Sequence, residues 1–429
     1  MRAALAQASR HGLNAEPYLR GIADGSDAAL TRTALAYAHA LAFGVIDPRD
    51  VQSIYTLTGP NFDLRSALAV ALASRSVGTR LAGLPPHDPG YRALSLAYIE
   101  QLRAVADQLM EPDIPSGPAV APGEEDTRWP AIRQQLVRRG YAPNERQGQA
   151  EGLAAAVRRF QAAAGLDDDG IIGPATLDEL NQGPRDRVRQ LAVNLERRRW
   201  LARRPPGTRI DVNIAAAEIT YLRGGDVAWR GRAVVGAPGH ETPWLGETFQ
   251  DLVLHPPWRV PDSIARAEIL PRGPNYLRRR GMRVVDGHVV QAAGPGAALG
   301  QVKFDMRNPY AIYLHDTPAK ALFHEPQRHR SHGCVRVEGA VSRARRLAED
   351  GGSLAAFDAA LKGGVTREVR RAAPIPVRLL YLTATPDPTG GIRYLADAYG
   401  WDARLADRMG LVPGRLRAPL PVLTDLEGP

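Results

Sequence analysis

At Arg209 the hydrophobic period of the chain changes. Before it, apolar residues return every three or four positions: Leu30, Ala34, Tyr37 and Leu41, then Leu64, Leu68 and Leu72, then Tyr91, Leu94, Tyr98 and Leu102. After it they alternate, first Ile210, Val212 and Ile214, then Ile219 and Tyr221, and later Val302, Phe304 and Met306. A helical period and a strand period cannot share one face of one element, so the chain must build helical layers and sheet layers from separate segments. The expected class is therefore multidomain α+β. Residues 1–110 are predicted to be a helical domain, because Gly44 and Pro48 stop the first stripe and Pro85, Pro86 and Pro89 introduce the last. Residues 111–126, with Pro112, Pro115, Pro118 and Pro122, read as a linker. In residues 127–183, Leu153, Val157, Phe160 and Ala164 mark an amphipathic helix, Gly165 closes it, and Asp169-Gly170 makes a turn before a further short helix at Thr176. Residues 184–207 are read as the segment that leads into the next domain.

Residues 208–365 are predicted to be mostly β. Val284-Val285 and Val289-Val290 flank Asp286-Gly287, a strong hairpin signal, and one helix at about 339–349 is expected behind the sheet. Residues 366–429 are read as an extension with a strand at 377–382, and no catalytic constellation is visible there.

Composition narrows the partners. Of the 429 residues, 55 are basic and 46 acidic, a net charge of +9. Lys303, Lys320 and Lys362 are the only lysines, so the excess is arginine in a chain also rich in Ala, Gly and Pro, a bias that coding composition produces. Arg197–Arg199 and Arg278–Arg280 lack interleaved aromatic residues for stacking on bases, and nucleic acid is not a predicted partner. No run approaches the roughly 18 apolar residues of a membrane helix. The first residues show no apolar core of a signal peptide. The single cysteine allows no internal disulfide, and oligomeric state is not readable.

That cysteine lies in Ser331-His332-Gly333-Cys334-Val335-Arg336-Val337, downstream of Tyr313-Leu314-His315-Asp316. A thiol attacks as its thiolate, and a nearby imidazole is the common means of deprotonating it. If 312–315 is a strand, Tyr313 and His315 share a face away from the packed aliphatic side, and His315 is expected to be presented rather than buried. Gly333 permits a tight turn whose Gly333 and Cys334 N–H groups could hold an oxyanion, with Tyr313 as a further donor. A zinc site from His315, His329, His332 and Cys334 has none of the usual ligand spacings, and no metal or cofactor is expected. His324 and His329 are read as histidines of the intervening loop.

These residues resemble the YkuD-type L,D-transpeptidases, whose signature is a histidine, a loop of somewhat under twenty residues, then Ser/Thr-His-Gly-Cys followed shortly by Arg or Asn. Val157-Arg158-Arg159-Phe160-Gln161, Gly165-Leu166 and 169–177 are similar to a three-helix peptidoglycan-binding domain. The phrases His11-Gly12-Leu13, Tyr18-Leu19, 44–48 and Asp63-Leu64 look like the helical scaffold of the YcbB-like branch, as does 194–200 its linking helix and Trp258 to Leu277 its substrate-capping segment. That segment is read as short before Gly294, and Ala297 stands where Asn is usual.

The resemblance implies an enzyme of cell-wall biogenesis and cell shape, periplasmic, without a cofactor, and a target of carbapenems. Its partners would be peptidoglycan stem peptides and glycan. Cys334 would be nucleophile, His315 base, Asp316 the group orienting the imidazole, and Arg336 a binder of substrate carboxylate or a structural ion-pair partner. Ser331, His332, Tyr313 and Trp258 would line the substrate site. The same residues would serve an L,D-carboxypeptidase or endopeptidase, and a non-catalytic wall-binding protein would rest on 127–183 alone.

Overall fold

The computed structural model describes residues 2–5, 7–107, 113–144, 146, 148–387 and 390–412. They form two compact units, residues 1–205 with 382–412, and residues 206–381.

The first unit is helical. Helix Asp27–Phe43 begins where Ser26 Oγ accepts the Ala29 N–H (3.3 Å) and ends at Gly44. It buries Tyr37 and Leu41 against Leu5, Leu68 and Leu81, the stripe that the sequence predicts. Helix Pro89–Asp107 buries Tyr91, Leu94 and Tyr98 against Leu191 and Leu195 of helix Pro184–Arg199. Helices Trp129–Arg138, Gln149–Ala164 and Pro174–Leu180 share a separate core of Ile132, Leu136, Leu153, Val157, Phe160 and Leu177. Its turn is organised by one buried side chain. The Gln161 amide accepts from the Gly170 N–H (2.8 Å) and donates to Asp169 and the Ile171 carbonyl (2.9 Å each), so Asp169-Gly170 is fixed from inside the module. The expected linker is not wholly a linker: Ile114 and Val120 are buried in this same core, and Val120 bridges to Ile172. Residues 111 and 112 lie outside the described residues.

The second unit is built on nine strands: β1 (Arg209–Asn213), β2 (Glu218–Arg223), β3 (Asp226–Gly236), β4 (Leu245–Leu254), β8 (Val302–Met306), β9 (Leu314–His315), β10 (His329–Ser331), β11 (Val335–Val337) and β12 (Arg367–Leu380). The order is β10-β3-β11-β9-β8-β4-β12-β1-β2, and β2 also pairs with β3, so the ladder closes on itself and leaves few open edges. Alternation is kept, as in the half-buried, buried pattern of β1 and β2. Phe249 of β4 and Phe304 of β8 meet edge to face in the interior, centroids 5.6 Å apart, each burial stabilising by roughly 1.5–3 kcal/mol. Helix Ala340–Asp350 stands where one was expected and a second, Leu354–Gly363, follows it.

The placement of β12 corrects the predicted boundary at 365. The strand runs from Arg367, pairs antiparallel with β4 and parallel with β1, and so lies within the sheet of the second unit. Beyond it the chain returns to the helical unit as a hairpin, Ala384–Pro386 with Ile392–Tyr394, and helix Trp401–Arg408. The part of the expected extension at 413–429 lies outside the described residues.

Between β4 and β8 sits a cap. Strands β5 (Trp258–Arg259), β6 (Met282–Val285) and β7 (His288–Gln291) make a three-stranded sheet, with Asp286 and Gly287 both at positive φ (49° and 79°) in the predicted hairpin. Trp258, Val260, Ile264, Ile269, Met282 and Val289 give the cap a core of its own. A segment read as short is thus a subdomain with a folded interior.

Candidate active site

Strands β9 and β11 run parallel and adjacent, with Leu314 opposite Val335 and His315 opposite Arg336. This pairing brings the two sequence motifs together. The Val335 N–H also donates to the Tyr313 carbonyl at 3.1 Å.

His315 is fully buried, contrary to the expectation that it would be presented. Tyr313 and His315 share a face, as the alternation predicts, with rings 5.6 Å apart, but His315 is interior there as well. Nδ1 lies 2.5 Å from the Asp316 carbonyl oxygen. A carbonyl only accepts, so the proton is on Nδ1 and the Nε2 lone pair is free. Among the described residues that Nε2 has no hydrogen-bond partner although it is buried. Burial and then the Arg336 charge hold the imidazole down, to about 3, against the bond to Asp316. The ring is therefore neutral at physiological pH. The orienting group is the Asp316 main chain; its carboxylate accepts the Gln301 N–H (3.0 Å) and pairs with Lys320.

Cys334 is 5% exposed. Burial pushes its thiol up to about 11, opposed by hydrogen bonds from the Tyr313 main chain and phenol and by the charges of Lys303 and Arg336. Its Sγ is 3.4 Å from the carbonyl of Ala311, a non-glycine residue at φ 55°. Such backbone strain is concentrated at functional sites. Asn308 maintains it, donating to the Ile312 carbonyl (2.7 Å) and accepting the Ile312 N–H (3.2 Å).

The turn that carries Cys334 is tied internally. Ser331 Oγ donates to the Cys334 carbonyl (2.6 Å) and accepts the Gly333 N–H (3.2 Å), while Thr242 Oγ1 donates to the Gly333 carbonyl (2.8 Å). Gly333 sits at φ 113°, where a side chain would be strained. Its N–H, expected to hold an oxyanion, is already committed to Ser331. Ser331 is buried under this turn, and its hydroxyl braces the backbone around Cys334.

Tyr313 links the site to the cap. Its phenol is raised well above its ordinary value by burial and then by Cys334, and the Lys303 ammonium lies 4.6 Å from its ring centre. Trp258, expected at the substrate surface, is 2% exposed and belongs to the cap core. Its indole still favours the Tyr313 phenolate, yet the N–H makes no hydrogen bond of normal geometry. Arg336 is 1% exposed, beside both His315 and Cys334. His332 is bonded to Glu268 at 2.7 Å and stacks edge-on against His240 at 4.8 Å. His329 lies in β10, buried, with Nε2 at 3.0 Å from the Ile214 carbonyl, so it is a structural histidine and not a loop residue. Glu268, His240 and Thr242 were not identified from the sequence, and nothing in their local pattern marks them.

Residues 207–350 match the L,D-transpeptidase catalytic domain family, YkuD. Residues 207–350 are therefore a domain of the YkuD L,D-transpeptidase catalytic family. Residues 1–97 match a family described as "Scaffold domain", and 125–180 one described as "Putative peptidoglycan binding domain". A Haemophilus influenzae protein named "Putative L,D-transpeptidase" is 33% identical over 247 residues, 51% of this chain and 49% of that protein. The chain thus matches about half the length of that curated relative. Among solved structures, the L,D-transpeptidase (Yku) from Stackebrandtia nassauensis is 14% identical, with a TM-score of 0.25 over 63% of this chain and 97% of that one. The L,D-transpeptidase from Xylanimonas cellulosilytica is 18% identical, with a TM-score of 0.19 over 63% and 100%. In this domain His315 lies on β9, Ser331 ends β10, His332-Gly333-Cys334 form the turn that follows, and Val335-Arg336 open β11.

Proposed function

We propose that this protein is a peptidoglycan L,D-transpeptidase of the bacterial periplasm that works through a Cys334 thioester. The observation that carries the reading is the buried His315 Nε2, which holds a lone pair and no partner on the strand beside the only thiol in the chain. With thiol and imidazole both neutral at rest, His315 takes the proton as sulfur attacks the carbonyl between diaminopimelate and the terminal D-Ala of a tetrapeptide stem. The C–S bond forms, the proton passes from His315 to the departing amine, and D-Ala leaves. An amine of a second stem, from diaminopimelate or from L-Ala, then attacks the thioester, loses its proton to His315 and regenerates the thiol. The Cys334 N–H and the Tyr313 phenol are the oxyanion donors in this scheme, since the Gly333 N–H is committed. Arg336, buried opposite His315, would either take a substrate carboxylate or hold the turn as an ion-pair partner.

Residues 127–183 would hold the enzyme on glycan or stem peptides, and a strained carbapenem carbonyl would acylate Cys334. The test is mass spectrometry of products from the purified protein and tetrapeptide muropeptides. Cross-linked dimers with loss of D-Ala support the reading. Tripeptides alone, with an acceptor present, would instead make the enzyme an L,D-carboxypeptidase.

A further inference from the structure

The chemistry above leaves one buried histidine of the nucleophile turn without a role. His332 stands two residues before Cys334, its side chain only 3% exposed. On one side it packs against His240, in the loop between β3 and β4. That loop is fixed to the nucleophile turn: Thr242 Oγ1 donates to the Gly333 carbonyl and accepts the Gly236 N–H, both at 2.8 Å, and the Ala237 N–H donates to the Ser331 carbonyl at 2.8 Å. On the other side His332 Nε2 meets Glu268 Oε1 at 2.7 Å. Glu268 belongs to the cap, on the π-helical turn Ala265–Ile269. A π turn carries an extra residue that re-aims the side chains after it, and such turns are frequent at functional sites.

The cap also touches the thiol through Tyr313. Its ring packs with the cap core while its phenol hydrogen-bonds Cys334. Any movement of the cap therefore changes the cover over the sulfur.

We propose that Glu268 is a positioning residue: its bond to His332 clasps the cap onto the nucleophile turn and sets how often Cys334 becomes accessible to a substrate stem. The clasp joins the cap to a turn whose far side is tied down by Thr242 and Ser331. Its consequence for catalysis rests on the reading of Cys334 as nucleophile, but the clasp itself is measurable without turnover.

The single thiol makes the measurement specific. The full chain is labelled with a bulky maleimide, and the rate is followed by intact mass. Glu268→Ala, and Glu268→Leu, which fills the same volume without an acceptor, are expected to label about five- to tenfold faster than wild type, the scale of one partly exposed charge-assisted hydrogen bond. Glu268→Gln, which keeps an oxygen for an imidazole N–H, should fall between. Arg266→Ala, on an exposed neighbour of the same turn, should leave the rate unchanged. In the double variant Glu268→Ala/His332→Ala the rate should equal that of His332→Ala alone, because the two groups act as one contact. Rates within twofold of wild type for both Glu268→Ala and Glu268→Leu would overturn the clasp, as would strictly additive effects in the double variant. A protein that labels as expected yet forms no cross-links would leave the clasp standing and remove the transpeptidase reading instead.

Discussion

Two buried polar clusters, one in each unit, are treated in opposite ways. In the helical unit Arg199 and Glu196 are wholly buried, and each is matched atom for atom. Arg199 donates to Glu196, the His11 carbonyl (2.6 Å) and the Tyr91 hydroxyl (3.1 Å), while the other Glu196 oxygen accepts the N–H groups of Val45 (2.6 Å), Ile46 (3.0 Å) and Trp200 Nε1 (3.2 Å). In the sheet unit, among the described residues, the buried His315 Nε2 makes no hydrogen bond. Leaving a buried polar atom unpaired costs about 1–3 kcal/mol, so the second cluster is stabilised from elsewhere. The first is a brace.

The largest expected effect belongs to the reactive cluster and touches activity alone. Cys334→Ala should abolish acyl-enzyme formation and cross-linking while circular dichroism and Tm stay near wild type, because one small side chain is exchanged for another; trace activity above background would break the contrast. Next, Glu196→Ala should destabilise the helical unit by about 3–5 kcal/mol, since it strands the Arg199 charge in the interior. Denaturant titration would read this, with Cys334 acylation per folded molecule unchanged. A loss below about 1 kcal/mol would mean that the brace is not one.

A smaller, graded effect comes from pH. Burial holds His11 and His315 down to about 3 and His329 to about 4, whereas an unfolded histidine titrates near 6.5. Their folded values are lowered, so the stability they leave intact above pH 6.5 is lost progressively as pH falls toward 4 and then 3, where the unfolded chain binds protons that the native one refuses. Tm should therefore drop between pH 7 and 4.5, and His315→Gln should flatten the slope. A Tm that rises toward acid would contradict the assignment.

Much of this contrast was readable in the chain. The apolar stripe through Tyr37 and Leu41 and the hairpin at Asp286-Gly287 each follow from local residue type and spacing. What could not be read depends on distant partners. The early part of β12 looks like a loop because Pro374 and Pro376 interrupt it, yet a register shift between Arg370 and Ile375 absorbs the irregularity and the strand continues against β4. His315 alternates like an exposed residue and is buried by neighbours that its own strand does not specify. Glu268 lies 64 residues from His332, in a turn whose π geometry has no sequence marker. The tie from Gly333 to Ser331 likewise removes an oxyanion donor that glycine alone seemed to promise.

The central claim is that a neutral, unpartnered His315 Nε2 takes the Cys334 proton as the sulfur attacks. It is tested most directly by intact-mass time courses of carbapenem acylation near neutral pH for wild type and His315→Gln, a variant of similar size that cannot accept the proton as imidazole does. The account predicts a rate lower by about 10²–10⁴, the usual contribution of a general base, with the adduct confined to Cys334. Acylation of His315→Gln at the wild-type rate would contradict it and move the base to His332.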